Sequence, residues 1–317
     1  MKLVNLEGYA ANPGDLSWNA FKKYGDLTVY ERTAPEDITK RAKDADILFV
    51  NKSKITAEML DEMPKLKYIG IQATGYNIID CDAARKRGIT VTNVPAYSTT
   101  AVAQLVFAFI LQITNKVNSY SSAVHNLEWC NSPDFCCIKE PTYELDNKTI
   151  GIIGFGSIGQ RVSNIAHSFG MKVLVNTPHP KPDKFKDVEF VSLDELLRNS
   201  DVITCHCPLT DKTSGLIDKT ALSKMKKSAI FINTSRGQVI NEQALADALN
   251  NDMIAAAGID VMTTEPPRED NPLLRAKNCF ITPHIAWAGF ETRQRLLKIL
   301  EENLKAFLDG HPQNVVN

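Results

Sequence analysis

Several things are scarce in this 317-residue chain, and each scarcity excludes something. Charge of one sign is the first. The 36 Lys and Arg offset 37 Asp and Glu for a formal charge of −1, which argues against nucleic acid or an anionic membrane as the main partner. No run approaches the roughly 18 apolar residues of a membrane span. Residues 1–7 carry too short an apolar segment for a signal peptide, so a cytoplasmic location is expected. Cysteine is sparse: seven residues, an odd number spread along the chain, suit a reducing compartment better than a disulfide framework. Cys205, His206 and Cys207 do not read as a metal site, because alternate residues of a strand face opposite ways and no second ligand cluster is apparent. Repeats and low-complexity tracts are absent. With only six histidines, acid–base candidates are few.

What is present is an alternation of short apolar runs and helix-like segments, the pattern of parallel sheets covered on both faces. Residues 2–6, 27–30, 47–50, 68–72 and 90–93 read as the strands of a first series. Thr33 with Glu36 resembles a capping box, and Thr56 and Asp80 read as further helix caps. A long apolar helix over 101–117 leads to an irregular stretch, 119–147. A second series has strands at 149–153, 172–175, 188–190, 202–205, 229–233, 255–260 and 279–282, with Ser192 and Glu195 capping one of the helices between. A final amphipathic helix over 290–308 ends at Gly310. The second series is complete before that helix, so the last segment is expected to return to the first domain. The expected architecture is α/β with two domains, each a parallel sheet flanked by helices. A discontinuous substrate-binding domain of flavodoxin-like type (1–98 and 286–317) is interrupted by a Rossmann dinucleotide-binding domain (99–285), with a cleft between them.

The second series opens on Gly154-Phe155-Gly156-Ser157-Ile158-Gly159, directly after an apolar strand and before a helix-like stretch, 160–169. That context turns G-x-G-x-x-G into a dinucleotide-binding signature, since such a turn lets a pyrophosphate rest on the free N–H groups and positive end of the helix. A carboxylate usually follows at the end of the next strand to bind the adenosine ribose. Here it is missing, and Thr177 stands in its place. A hydroxyl does not repel a 2′-phosphate, and His179 and Lys181 are close by, so NAD and NADP both remain open.

Three more residues lie past the ends of later strands, where open parallel sheets place ligands. His284 follows Ile281-Thr282-Pro283, Glu265 follows Asp260–Thr264, and Arg236 follows Asn233-Thr234-Ser235. A carboxylate bonded to one imidazole nitrogen fixes the tautomer and favours the protonated ring as a proton donor. A guanidinium fork suits a small carboxylate substrate. In the first series, Gln72–Asn77 ends a strand at a glycine turn whose N–H groups suit an anion. From spacing alone the simple turn is the favoured reading.

Taken together, 73–80, Asn93-Val94-Pro95, the glycine turn, 206–210, 233–237, 258–261 with Glu265-Pro266, and 282–287 resemble the D-isomer-specific 2-hydroxyacid dehydrogenases over essentially the whole chain. Within that family, 72–77, 132–136 and 285–288 look most like the glycerate dehydrogenase (hydroxypyruvate reductase) branch. The resemblance implies that His284 is the acid/base, Glu265 its partner, and Arg236 the clamp on the substrate carboxylate and oxo group, with Thr74 and Gly75 offering N–H groups to the same carboxylate. For the cofactor it implies Gly154, Gly156, Ser157, Ile158 and Gly159 at the pyrophosphate and Thr177 at the ribose. Cys207, Pro208 and Thr213 line the adenosine side, Thr234, Ser235, Arg236 and Asp260 hold the nicotinamide half, and Val102 lies near its ring. It further implies a homodimer formed through roughly residues 100–147.

The expected reaction is reduction of a small 2-oxo acid, hydroxypyruvate or glyoxylate, to a D-2-hydroxy acid by NADH or NADPH, with no metal. A D-lactate or phosphoglycerate type of dehydrogenase is the nearest alternative. A dinucleotide-sensing binding protein of corepressor type is a more distant one, disfavoured by the complete His–Glu–Arg set. Lys52, Tyr76, Asn77, Trp129 and Trp287 are candidates for the far side of the substrate, although Trp and Tyr in such places are as often packing.

Overall fold

The computed structural model describes all residues, 1–317. The chain forms two compact units, one of Met1–Ser98 with Trp287–Asn317 and one of Thr99–Ala286.

In the first unit, strands β1 (Lys2–Asn5), β2 (Asp26–Val29), β3 (Ile47–Val50), β4 (Tyr68–Ile71) and β5 (Thr90–Thr92) make a parallel sheet in the order β2-β1-β3-β4-β5. Every residue of β3 and β4 is buried, as expected of central parallel strands covered on both faces. One face packs Val4, Leu48, Ile69 and Val91 against Ile38, Leu60 and Ala84. The other packs Leu3, Ile47, Phe49 and Tyr68 against Leu296, Leu300 and Leu304. Those three leucines recur every fourth residue along helix Phe290–Leu308, so they form one apolar stripe. Each fully buried leucine contributes on the order of 1.5–3 kcal/mol over its exposed state.

In the second unit, β6 (Thr149–Ile153), β7 (Lys172–Asn176), β8 (Glu189–Phe190), β9 (Val202–Cys205), β10 (Ile230–Asn233), β11 (Ala256–Ile259) and β12 (Cys279–Ile281) run parallel in the order β12-β11-β10-β9-β6-β7-β8. The order reverses between β6 and β9, which is where doubly wound sheets open a crevice for a ligand. Helix Thr99–Asn115 covers one face of this sheet with Val106, Phe109 and Ile110. No single helix of the chain is long and apolar enough to cross a membrane.

Thr56, Asp80 and Ser192 each accept the backbone N–H three residues on, as their capping pattern predicts. Thr33 does not. Pro35 holds Ala34 extended and starts a 3₁₀ turn there, so the Thr33 hydroxyl instead donates to the Leu6 carbonyl at 2.6 Å. The expected helix over 101–117 begins earlier and stops at Asn115, because Lys116 takes a left-handed conformation, φ 53°. A further helix, Val117–His125, then occupies the start of the stretch expected to be irregular. The helix expected over 160–169 begins three residues sooner, at Ser157, with Gly156 as its N-cap.

Candidate functional site

The glycine turn after β6 is built around backbone contact. Gly154 has φ +91°, and a Cβ there would lie 2.7 Å from the backbone of His206 and Cys207. Only glycine lets the end of β6 lie this close to the segment that follows β9. Gly156 is the reverse case: it is exposed, with open space where a side chain would stand. Ser157 and Ile158 open helix Ser157–Ser168, whose N-terminus no side chain caps, and Gly159 is buried in its first turn. Free N–H groups, an open approach and the positive end of a 12-residue helix therefore converge at the switch point.

Around this turn, Thr177 follows β7 half-buried, while Asn176 is tied by its side chain to the Val191 carbonyl at 3.0 Å. Cys207 is buried, and burial pushes its thiol up and away from reactivity. Pro208 leads a loop closed by Thr213, whose hydroxyl donates to the Pro208 carbonyl at 2.6 Å and accepts the Thr210 N–H at 2.8 Å. His206 bonds Thr204 through Nε2 at 2.9 Å, and burial brings its imidazole down to about 3, so it stays neutral. Val102 is buried in the first turn of helix Thr99–Asn115. At the end of β10 the Thr234 hydroxyl is sealed from solvent with no partner in the protein. A buried polar group is normally paired, so this orphan marks a place for a ligand atom. The residues present fit a dinucleotide.

Arg236, Glu265 and His284 lie past the ends of β10, β11 and β12, which are neighbours in the sheet. His284 Nδ1 and Glu265 Oε2 are 2.6 Å apart. With Nδ1 engaged by a carboxylate, Nε2 is the ring nitrogen left to exchange a proton with a ligand. Glu265 is itself held, its other oxygen accepting the Met262 N–H at 3.1 Å. The His284 backbone is left-handed, φ +54°, a conformation that persists only where neighbours enforce it. Asp260 is the enforcer. Its backbone carbonyl accepts the His284 N–H at 2.8 Å. Its carboxylate accepts the Thr282 hydroxyl at 2.6 Å and the N–H groups of Ile285 and Ala286 at 2.8 and 3.0 Å. Burial pushes this carboxyl up, and the three donors oppose that shift.

Arg236 presents an exposed guanidinium, with one nitrogen resting on the Ser235 carbonyl at 2.7 Å. Its loop is shaped by buried Asn233, which donates to the Arg236 carbonyl at 2.9 Å and accepts from the Ser235 N–H and hydroxyl at 3.0 and 2.8 Å. Sequence reasoning did not single out Asn233, although Asn at a strand end before Thr-Ser is a turn signal. Gly237 completes the arrangement: a Cβ there would lie 2.0 Å from the Met262 backbone, so only glycine brings the Arg236 loop against the Glu265 loop.

In the first unit the turn after β4 is also fixed. The Thr74 hydroxyl donates to the Val94 carbonyl at 2.8 Å, and Asn93 donates to the Thr74 carbonyl at 2.7 Å. Among backbone hydrogen bonds the N–H groups of Thr74 and Gly75 have no acceptor, so both remain available to an anion. Of the residues considered for the far side of the substrate, Trp287 packs against the apolar core of its unit. Tyr76 and Trp129 are exposed, and the Trp129 indole donates to the Phe135 carbonyl at 3.0 Å.

Replacing Glu265 by Gln removes the charge behind the imidazole and permits the wrong tautomer. We expect kcat/KM to fall on the order of 10- to 100-fold, less than for loss of His284 itself. Steady-state kinetics of the Glu265→Gln and His284→Gln enzymes check this; equal losses would make Glu265 more than an orienting partner, and no loss would remove it.

Residues 107–286 match the NAD binding domain of the D-isomer specific 2-hydroxyacid dehydrogenases. The chain is 46% identical to the hydroxypyruvate reductase of Blautia hydrogenotrophica, covering 100% of both. It is 40% identical to the glycerate dehydrogenase of Methylorubrum extorquens, over 90% of each. Among solved structures, an acyclic imino acid reductase in complex with NADPH and D-Arg superposes with a TM-score of 0.85 at 33% identity, over 100% of both chains. Matched over more than half its length by that domain, and along its whole length by a relative, the chain belongs to the D-isomer-specific 2-hydroxyacid dehydrogenase family.

Proposed function

We propose that the protein reduces a small 2-oxo acid to the 2-hydroxy acid, hydroxypyruvate first, giving D-glycerate, and glyoxylate next, giving the achiral glycolate. The observation that carries this reading is the His284–Glu265 pair at 2.6 Å, past the end of β12, beside the strand ends that bear Glu265 and Arg236. Full-length similarity to a hydroxypyruvate reductase supports the substrate.

In this reading Arg236 binds the substrate carboxylate and the oxo oxygen with its planar fork, and Thr74 and Gly75 add backbone N–H groups at the carboxylate. When bound, the reduced nicotinamide supplies the hydride for C2. His284 holds a proton at Nε2 and gives it to the oxo oxygen. Arg236 stabilises the negative charge that develops there, commonly the largest single contribution to such a step. Glu265 stabilises the imidazolium before transfer and keeps the proton position aimed. In oxidation of the hydroxy acid, the same His284 nitrogen takes the proton back.

The cofactor is held by Gly154–Gly159 at its pyrophosphate and by Thr177 at its ribose. Cys207, Pro208 and Thr213 take its adenosine side, and Thr234, Ser235 and Asp260 the nicotinamide half, with Val102 near the ring. Asp260 acts there chiefly by pinning the His284 loop. Both NADH and NADPH fit this arrangement, since Thr177 brings no charge against a 2′-phosphate. Thr177→Asp is expected to raise the NADH-to-NADPH affinity ratio by at least about tenfold, because like charges set face to face cost several kcal/mol. Fluorescence titration of each cofactor reads this directly, and an unmoved ratio would take Thr177 off the ribose.

The exposed apolar side chains of Val117, Leu127, Trp129, Phe135 and Ile138 support a homodimer formed through the 100–147 segment. All seven cysteines are free thiols, which suits the cytoplasm. The functional reading is tested by steady-state assays of hydroxypyruvate, glyoxylate, pyruvate and phosphohydroxypyruvate, each with NADH and NADPH. Hydroxypyruvate is expected to give the highest kcat/KM. Turnover of none would favour a dinucleotide-sensing binding protein instead.

A further inference from the structure

The sheet of the first unit, order β2-β1-β3-β4-β5, has its own switch point, between β1 and β3. A side chain of the protein fills it. Glu7, two residues past β1, directs one carboxylate oxygen at three successive backbone amides past β3: Asn51 at 2.8 Å, Lys52 at 2.9 Å and Ser53 at 2.9 Å. Consecutive N–H groups turned to one point form an anion-binding concavity, and here the anion belongs to the chain. Charge-assisted bonds of this kind are roughly twice as strong as neutral ones.

The concavity is joined to the turn after β4 by buried amides. The Glu7 N–H donates to Asn5 Oδ1 at 3.1 Å, which also accepts from Gln72 Nε2 at 2.9 Å. Asn51 Nδ2 donates to the Gln72 carbonyl at 2.8 Å. Gln72 is followed directly by Ala73-Thr74-Gly75, the turn whose free N–H groups are assigned to the substrate carboxylate. The Lys52 loop and the Thr74 loop thus share one hydrogen-bonded frame. Lys52 itself is exposed, and its only hydrogen bond is the backbone one to Glu7. β3 and β4 are adjacent, so their ends stand about 5 Å apart. A lysine stem spans that distance, which is also the length of a three-carbon acid from its carboxylate to its C3 substituent.

We propose that Glu7 is a positioning residue for substrate selection: it fixes the Asn51–Ser53 loop so that the Lys52 ammonium meets an oxygen-bearing C3 substituent of the 2-oxo acid. The proposal rests on the 2-oxo acid reductase reading above. Hydroxypyruvate offers Lys52 an acceptor at C3, and glyoxylate has no C3 at all.

A double-mutant cycle tests this, with kcat/KM for hydroxypyruvate relative to glyoxylate as the readout. Lys52→Met is expected to lower that ratio by about tenfold, the worth of a hydrogen bond to a charged group. Glu7→Gln should lower it roughly 3- to 10-fold, through the hydroxypyruvate KM with kcat within about twofold. In the Lys52→Met background, Glu7→Gln should then have no further effect on the ratio. Amide hydrogen exchange at Asn51–Ser53, measured without substrate, should quicken in Glu7→Gln and stay unchanged in Lys52→Met. A ratio that Lys52→Met leaves unmoved would overturn the proposal. So would a Glu7→Gln effect of equal size in both backgrounds, the mark of a merely structural role. Glyoxylate turnover by all four proteins keeps this outcome separate from failure of the reductase reading, which would abolish turnover in the unsubstituted enzyme too.

Discussion

His284→Gln is expected to lower kcat on the order of 10²- to 10⁴-fold, the range that a positioned proton donor contributes. Affinity for the dinucleotide should hardly change. Glutamine keeps the bulk and a hydrogen bond to Glu265, but it has no nitrogen that passes a proton on. The loop should survive the change, because what fixes it is Asp260, through Thr282, Ile285 and Ala286, rather than the imidazole. The backbone at His284 is left-handed. Glutamine adopts that conformation less readily than histidine, so the melting temperature of the variant should be followed beside its kinetics. A large kcat loss with dinucleotide affinity within about twofold identifies the proton donor. Loss of dinucleotide affinity in parallel would mean that His284 serves binding instead.

Arg236→Lys keeps the charge and should nonetheless lower kcat/KM on the order of 10²- to 10³-fold, the scale seen when one donor to a developing oxyanion is removed. A lysine ammonium is a point charge and does not reach a carboxylate and an oxo oxygen with two parallel bonds. The loop that carries the side chain is set by buried Asn233 and by the contact of Gly237 with the Met262 backbone. Neither depends on the guanidinium, which rests on the Ser235 carbonyl at 2.7 Å. The loss should therefore be kinetic, without a fall in thermal stability. A KM rise with kcat preserved would restrict Arg236 to holding the substrate carboxylate and leave the developing charge to another group.

The parts of this protein that could be read in its sequence are those that local physics enforces. The buried strands β3, β6, β9 and β10 show as apolar runs because central parallel strands are covered on both faces. The Gly154–Gly159 turn was legible because a side chain at Gly154 would strike the backbone of Cys207. Arg236, Glu265 and His284 stood out because each follows a strand end.

What was hidden depends on contacts between distant residues. Glu7 meets amides more than 40 positions away, and nothing in its own surroundings marks it as their acceptor. Asp260 read as a cofactor contact, and nothing in the sequence showed that its carboxylate also ties residues 22 to 26 positions later. Thr33 and Glu36 have the spacing of a capping box, but Pro35 between them starts the turn at Ala34. The break at Lys116 had no glycine or proline to announce it, so helix Val117–His125 was missed.

The most direct measurement of the central claim is the identity and handedness of the product formed from hydroxypyruvate with NADH or NADPH, separated on a chiral column. Membership of the D-isomer-specific family, together with the His284, Glu265 and Arg236 set, predicts D-glycerate, formed mole for mole with the cofactor oxidised. L-glycerate, or no oxidation of either cofactor, would contradict it.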